Sequence, residues 1–225
     1  MTGFSDWLST TPQGTYVLNW EQGKLDQILV DIFGFNAVQI GLPVMDALRA
    51  NRMPFRFFCD SDASQERTTV CTNPAHLPFA NNSVDLVVLP HVLEFSDYPH
   101  QILREVERVL VPEGSVIVTG FNPWSLWRNT VMQHRAHMIN VPRLRDWFHL
   151  LGLETHAGAF GCYAPPRFQQ WKFMELAGNR WWPALGAVYV VQAIKRRQGV
   201  KPILPAWQSQ RFRFRLWTQP SAAKT

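Results

Sequence analysis

Apolar positions change their period several times along the chain. Between residues 15 and 33, Leu18, Leu25, Ile28, Leu29, Ile32 and Phe33 recur at helical spacing, and Gly34 reads as the stop. Ala37 to Gly41 is a short apolar run ending at a glycine and predicts a strand. Pro43 to Arg52 predicts a short helix. Phe55 to Cys59 reads as a second strand, followed by the acidic stretch Asp60-Ser-Asp62, and Thr68 to Thr72 as a weaker third. Val84 to Leu89 is almost continuously apolar, as expected of a strand buried on both faces of a parallel sheet.

The next unit is the clearest. Asp97 reads as an N-cap and Pro99 falls in the first turn. Ile102, Leu103, Val106, Val109 and Leu110 form one apolar stripe, and Arg104, Glu105, Glu107 and Arg108 are expected to face water. Val111-Pro-Glu-Gly114 ends the helix, and Ser115 to Thr119 is a further strand. Strand, helix and strand in this order form a right-handed crossover of a parallel sheet. Residues 142–151 predict another amphipathic helix and residues 186–194 a last strand. The alternation implies an open α/β sheet with helices on both faces, whose ligands bind beyond the carboxyl ends of the strands. The loops after Ile40, Cys59, Thr72, Leu89 and Thr119 are therefore where chemistry is expected.

Composition sharpens this picture. The 225 residues are 46% hydrophobic and 17% charged, which excludes wholesale disorder. The net charge of +5 is not spread evenly. Residues 195–225 hold eight of the 22 Lys and Arg and no acid, so the remainder carries 14 basic against 17 acidic residues. A near-neutral body with a basic appendage argues against a nucleic-acid binder that uses its whole surface. Three irregularly spaced cysteines make no disulfide framework and suggest a reducing, cytoplasmic setting. Cys59 and Cys71 are expected to be buried packing. The N-terminus has no basic region followed by an apolar run, so no signal peptide is expected, and the longest apolar stretch is too short to cross a bilayer.

The segment Asn73-Pro-Ala-His-Leu77-Pro-Phe-Ala-Asn-Asn-Ser83-Val-Asp85, continuing through the apolar strand to His91-Val-Leu-Glu94, resembles the class I S-adenosylmethionine-dependent methyltransferases. The helix, Pro-Glu-Gly turn and strand that follow continue the likeness, which covers about residues 34–197. It implies an open, doubly wound, mostly parallel seven-stranded sheet of the Rossmann-like kind, and S-adenosylmethionine as cofactor. In that family the first strand ends in an acid followed by spaced glycines. Here Gln39 stands for the acid, Gly41 is kept, and Pro43 and Met45 replace later glycines. Asp60 corresponds to the ribose-binding acid and Asn73 to the adenine-reading acid, and Leu77 resembles the residue framing the adenine. His91 falls beside the expected methyl group and is the catalytic candidate, with positioning preferred over proton transfer. Asp85 is expected to cap backbone donors.

Methyl transfer from a sulfonium needs mainly an in-line nucleophile and exclusion of water, and a general base is optional. His91, His134 and His137 are candidate bases, and the two histidines of His134-x-x-His137 are too few for a metal site. The expected arrangement is one domain over 1–197, with an N-terminal helical cap at 1–33, an insertion over the site at 121–141 and a basic, aromatic tail at 198–225. The insertion carries Trp124, Trp127, Arg128 and Arg135, and its walls would suit a small aromatic or lipophilic methyl acceptor. The altered glycine loop keeps open an alternative, a methyltransferase-like binding or regulatory protein with impaired catalysis. Contact of residues 195–217 with nucleic acid or an anionic membrane is the less favoured reading of the tail.

Overall fold

In the computed structural model, residues 2–62, 67–132, 136–164 and 185–196 are described. The sequence order begins with two helices, α1 (Thr2–Thr10) and α2 (Pro12–Leu29), followed by β1 (Asn36–Ile40), β2 (Phe55–Asp60), β3 (Val70–Cys71) and β4 (Val84–Pro90). It continues with α3 (Pro99–Val109), β5 (Leu110–Phe121), α4 (Arg128–Met132), α5 (Val141–Leu150), β6 (Leu153–Gly161) and β7 (Val188–Lys195). The seven strands form one sheet in the order β3-β2-β1-β4-β5-β7-β6. All pairings from β3 to β5 are parallel, and β7 runs antiparallel to both β5 and β6. This is the expected doubly wound architecture.

Alternation along the strands divides the core into two layers. Val38, Ile40, Val87, Leu89, Val116 and Val118 pack against α3 and α5. Ala37, Leu86, Val88, Ile117 and Phe121 point the other way, against α1 and α2. The strand order reverses between β1 and β4, which puts the ligand crevice of such a fold at the loops after Ile40 and Pro90.

Several expectations are corrected. The N-terminal segment is two helices, because the Thr11 side chain accepts from the Gly14 amide and Pro12 opens a second helix. The helix ends at Leu29 rather than Gly34, where the Asn51 amide takes the carbonyls of Leu29 (2.9 Å) and Ile32 (3.1 Å). Residues 43–52 are successive turns rather than a helix. Asp97 does not cap α3; Tyr98 holds the N-cap position, with no side-chain bond. β6 was not foreseen: its run of Ala157, Gly158, Ala159 and Gly161 has little of the β-branched and aromatic character that marks a strand. Cys59 is buried as expected, but Cys71 is exposed on the two-residue β3.

Two structural readings are borne out in detail. The Asp85 carboxylate accepts from the amides of Phe35 (3.0 Å) and Asn36 (2.9 Å), capping the start of β1. Pro99 lies in the first turn of α3. Among the described residues, no helix is long and apolar enough to cross a membrane. The tail at 198–225 lies outside the described residues. Just before it, Lys195 pairs with Glu107 at 3.0 Å, and Arg196 with Glu113 and Glu154, each at 2.7 Å.

Candidate active site

β1 delivers Gln39 and the turn that follows. Gly41 has φ +72° and Leu42 φ +50°, so the chain reverses sharply past the strand. Gly41 can adopt that conformation without strain, whereas Leu42 adopts it at a cost. Gln39 is buried, and its amide nitrogen donates to the carbonyls of Gly41 (3.2 Å), Leu42 (3.2 Å) and Met45 (2.9 Å). Its carbonyl accepts from Ala47 N–H at 2.9 Å. The loop therefore turns its carbonyls inward onto a donor. A carboxylate cannot donate to them, which explains why an amide stands at this position. Leu42 and Met45 are buried in the core facing α1 and α2. From α2, Gln22 donates to the carbonyl of Asp46 at 2.7 Å and fastens the loop from outside.

β2 ends at Asp60, whose Oδ1 accepts from Asp62 N–H (3.0 Å) and Ser61 O–H (3.3 Å), and the residue remains partly exposed. Asn73 is exposed beyond β3. Its side-chain carbonyl accepts from Ala75 N–H at 2.9 Å, which fixes the turn and leaves a second lone pair. Leu77 is buried, and its N–H donates to Glu105 at 2.9 Å. Glu105 and Arg108 were expected to face water. Instead Arg108 binds Glu105 at 2.7 Å and the carbonyls of Leu77 (3.1 Å) and Phe79 (2.9 Å), so α3 clamps the Leu77–Phe79 loop. The hydrogen bond from Arg108, opposed only in part by desolvation, lowers the Glu105 pKa.

The densest chemistry lies past β4. His91 has φ +56° and is wholly buried. Its Nδ1 lies 2.7 Å from Glu94 Oε2 and its Nε2 2.8 Å from Glu21 Oε1. Glu94 Oε1 also accepts from the Phe121 amide, which ties the ends of β4 and β5. Phe4 of α1 meets the His91 ring edge-on at 5.2 Å, and Phe121 lies 4.7 Å away. Burial alone would push the imidazole pKa down; the charges and hydrogen bonds of Glu21 and Glu94 outweigh it and hold the ring at about 10. Glu94 is raised by its burial, against the pull of His91 and Phe121. Among the described residues, two buried polar side-chain atoms have no hydrogen-bond partner: Glu21 Oε2 and Thr119 Oγ1. No sequence pattern points to Glu21, which comes from α2, 70 residues before His91.

The other candidates are dispersed. His137 is exposed, with its amide bonded to the Glu94 carbonyl at 2.7 Å. His134 and Arg135 lie outside the described residues. Trp127 is buried, its indole donating to the Ala164 carbonyl at 2.8 Å, whereas Trp124 and Leu126 are 63% and 74% exposed beside the carboxyl end of β5.

A family of methyltransferase domains matches residues 57–118, from β2 into β5. The match takes in Asp60, Asn73, Leu77 and His91 and leaves out the Gln39–Met45 segment. An uncharacterised protein of Escherichia coli K12, YafS, is 36% identical over 183 residues, spanning 77% of this chain and 73% of that protein. Among solved structures, a SAM-dependent methyltransferase from Thermotoga maritima superposes with a TM-score of 0.67 at 16% identity, covering 87% of this chain and 95% of that one. The geranyl diphosphate C-methyltransferase of Streptomyces coelicolor, solved with S-adenosyl-L-homocysteine, gives a TM-score of 0.53 at 17% identity, with 77% of each chain covered.

Proposed function

Because this chain belongs to the class I S-adenosylmethionine-dependent methyltransferases, we propose that it transfers a methyl group to a small aromatic or lipophilic acceptor in the cytoplasm. The observation that carries this reading is the meeting of the Gly41 turn and Pro90–His91 at the reversal of strand order, with Asp60 and Asn73 on the same sheet edge. Their chemistry suits a nucleoside. Asp60 is a strand-end carboxylate able to accept from ribose hydroxyls, and Asn73 offers both an acceptor and donors to an adenine edge. Leu77, held by the Arg108–Glu105 clamp, supplies an apolar wall. Gly41 permits close backbone approach, while Gln39 acts from behind the loop by fixing its shape.

The cofactor supplies an activated methyl group that requires little more than an aligned nucleophile. The protein's share is then orientation and dryness. His91 serves as a positioning residue, since both ring nitrogens are taken by carboxylates. The exposed Trp124 and Leu126 beside the carboxyl end of β5 favour an acceptor with apolar surface. The cytoplasmic setting is supported by the three free cysteines.

Titration calorimetry of the full chain with S-adenosylmethionine and S-adenosylhomocysteine tests the reading, with saturable binding of both expected. Asp60→Ala should weaken each about tenfold, the loss of about 1.4 kcal/mol. The inward-knotted Gln39 loop favours a second reading, a binding or regulatory module. Folded protein that ignores both ligands at millimolar concentration would establish it.

A further inference from the structure

The group Glu21, His91 and Glu94 has a charge that can be counted from geometry. Two hydrogen bonds join it, His91 Nδ1 to Glu94 at 2.7 Å and His91 Nε2 to Glu21 at 2.8 Å, and each requires one proton. Two carboxylates and a fully deprotonated ring carry three negative charges. Two protons leave one negative charge, whichever heavy atom each sits nearer, and a third proton on Glu21 Oε2 would find no acceptor. Phe4 and Phe121 cover the imidazole and all three side chains are buried, so little solvent screens that charge. The charged groups acting on His91 are these two glutamates. Two further titratable groups feel these glutamates, Tyr189 of β7 and Cys162 beyond β6, and burial first, then the glutamates, pushes both well up, which keeps them neutral. One carboxylate oxygen, Glu21 Oε2, has no hydrogen-bonding partner, and Glu21 is fully buried. A buried carboxylate oxygen left so is costly unless a positive field compensates it.

We infer that Glu21, His91 and Glu94 form a buried monoanion at the carboxyl end of β4 that favours a cationic ligand in the β1/β4 crevice. Resting on the transferase reading above, the group selects the sulfonium form of the cofactor over its neutral thioether product. Glu21, on α2, is then a positioning and selectivity residue. Demethylation of the cofactor removes the cation, so the same charge that holds the substrate form ceases to hold the product form.

The test is calorimetry of the full chain, wild type and Glu21→Gln, with S-adenosylmethionine and with S-adenosylhomocysteine. The substitution keeps the side chain's size and removes one charge. Affinity for the sulfonium should fall about tenfold, while the thioether's changes no more than about threefold. Glu94→Gln removes the same charge from the other end and should shift the ratio the same way, which covers a Glu21 variant that does not fold. Equal losses for both ligands, or an unchanged ratio in both variants, overturn the inference and leave the transferase reading standing. A wild type that binds neither ligand overturns both.

Discussion

At the scale of single residues, Gln39 shows how a departure from a family pattern can be a local necessity. Its amide holds three carbonyls of the loop after β1, and its own carbonyl takes a fourth bond from Ala47. Restoring the family's acid should therefore harm this chain. Gln39→Glu would aim a buried carboxylate at the carbonyls of Gly41, Leu42 and Met45 and leave all three without their donor. Loss of about 3 kcal/mol of stability is expected, read as a lowered urea midpoint with an unchanged slope. A variant as stable as wild type would mean that the loop re-forms with its amides inward. Gln39 was visible in the sequence as an anomaly, but its purpose was not. The substitution shows a missing charge, whereas its cause is the direction of backbone groups six and eight residues on.

Whole elements were legible where one periodic signal dominated. β4 is apolar but for Asp85, α3 has a single stripe, and both emerged close to their expected bounds. β6 did not, because small residues leave little pattern to read, and it is recognised only by its pairing with β7. The boundary between α1 and α2 leaves no mark in the apolar periodicity because it is set by the Thr11 cap and Pro12. A Cβ on Gly14 would lie 2.2 Å from the Trp7 carbonyl, so the two helices cross on a glycine. Composition does not settle the polar face of α3 either. Arg108 and Glu105 have the composition of a solvated face, but they reach the carbonyls of Leu77 and Phe79 and the Leu77 amide. Arg108→Ala should release that loop and weaken nucleoside binding about fivefold, corresponding to about 1 kcal/mol, without displacing α3 from its apolar seat. Calorimetry with S-adenosylhomocysteine alongside far-ultraviolet dichroism separates these effects. Undiminished affinity would show that the loop holds its shape without the clamp.

At the scale of the whole molecule, the strand ends that bear the site residues were readable because topology puts chemistry there. The Glu21–His91–Glu94 group was not, since only the docking of α2 across the sheet brings Glu21 to His91. That docking should make the stability of the protein depend on pH. The unfolded imidazole titrates near 6.5, and the folded one near 10, raised by Glu21 and Glu94 against the opposing effect of burial. A folded pKa above the unfolded one stabilises the fold fully below about 6.5, and that contribution declines as pH rises towards 10. In structural terms, removing one of the two shared protons leaves two negative charges on a buried group with a single hydrogen bond between them. The urea midpoint of the wild type should therefore fall steadily from pH 6.5 to 10. In Glu21→Gln the imidazole loses one carboxylate, its pKa drops, and the decline should finish at lower pH. Unfolding curves at half-unit steps read both. A wild-type midpoint that stays level across this window would mean that His91 is not protonated in the folded protein, and that α2 is held in place by its apolar face alone.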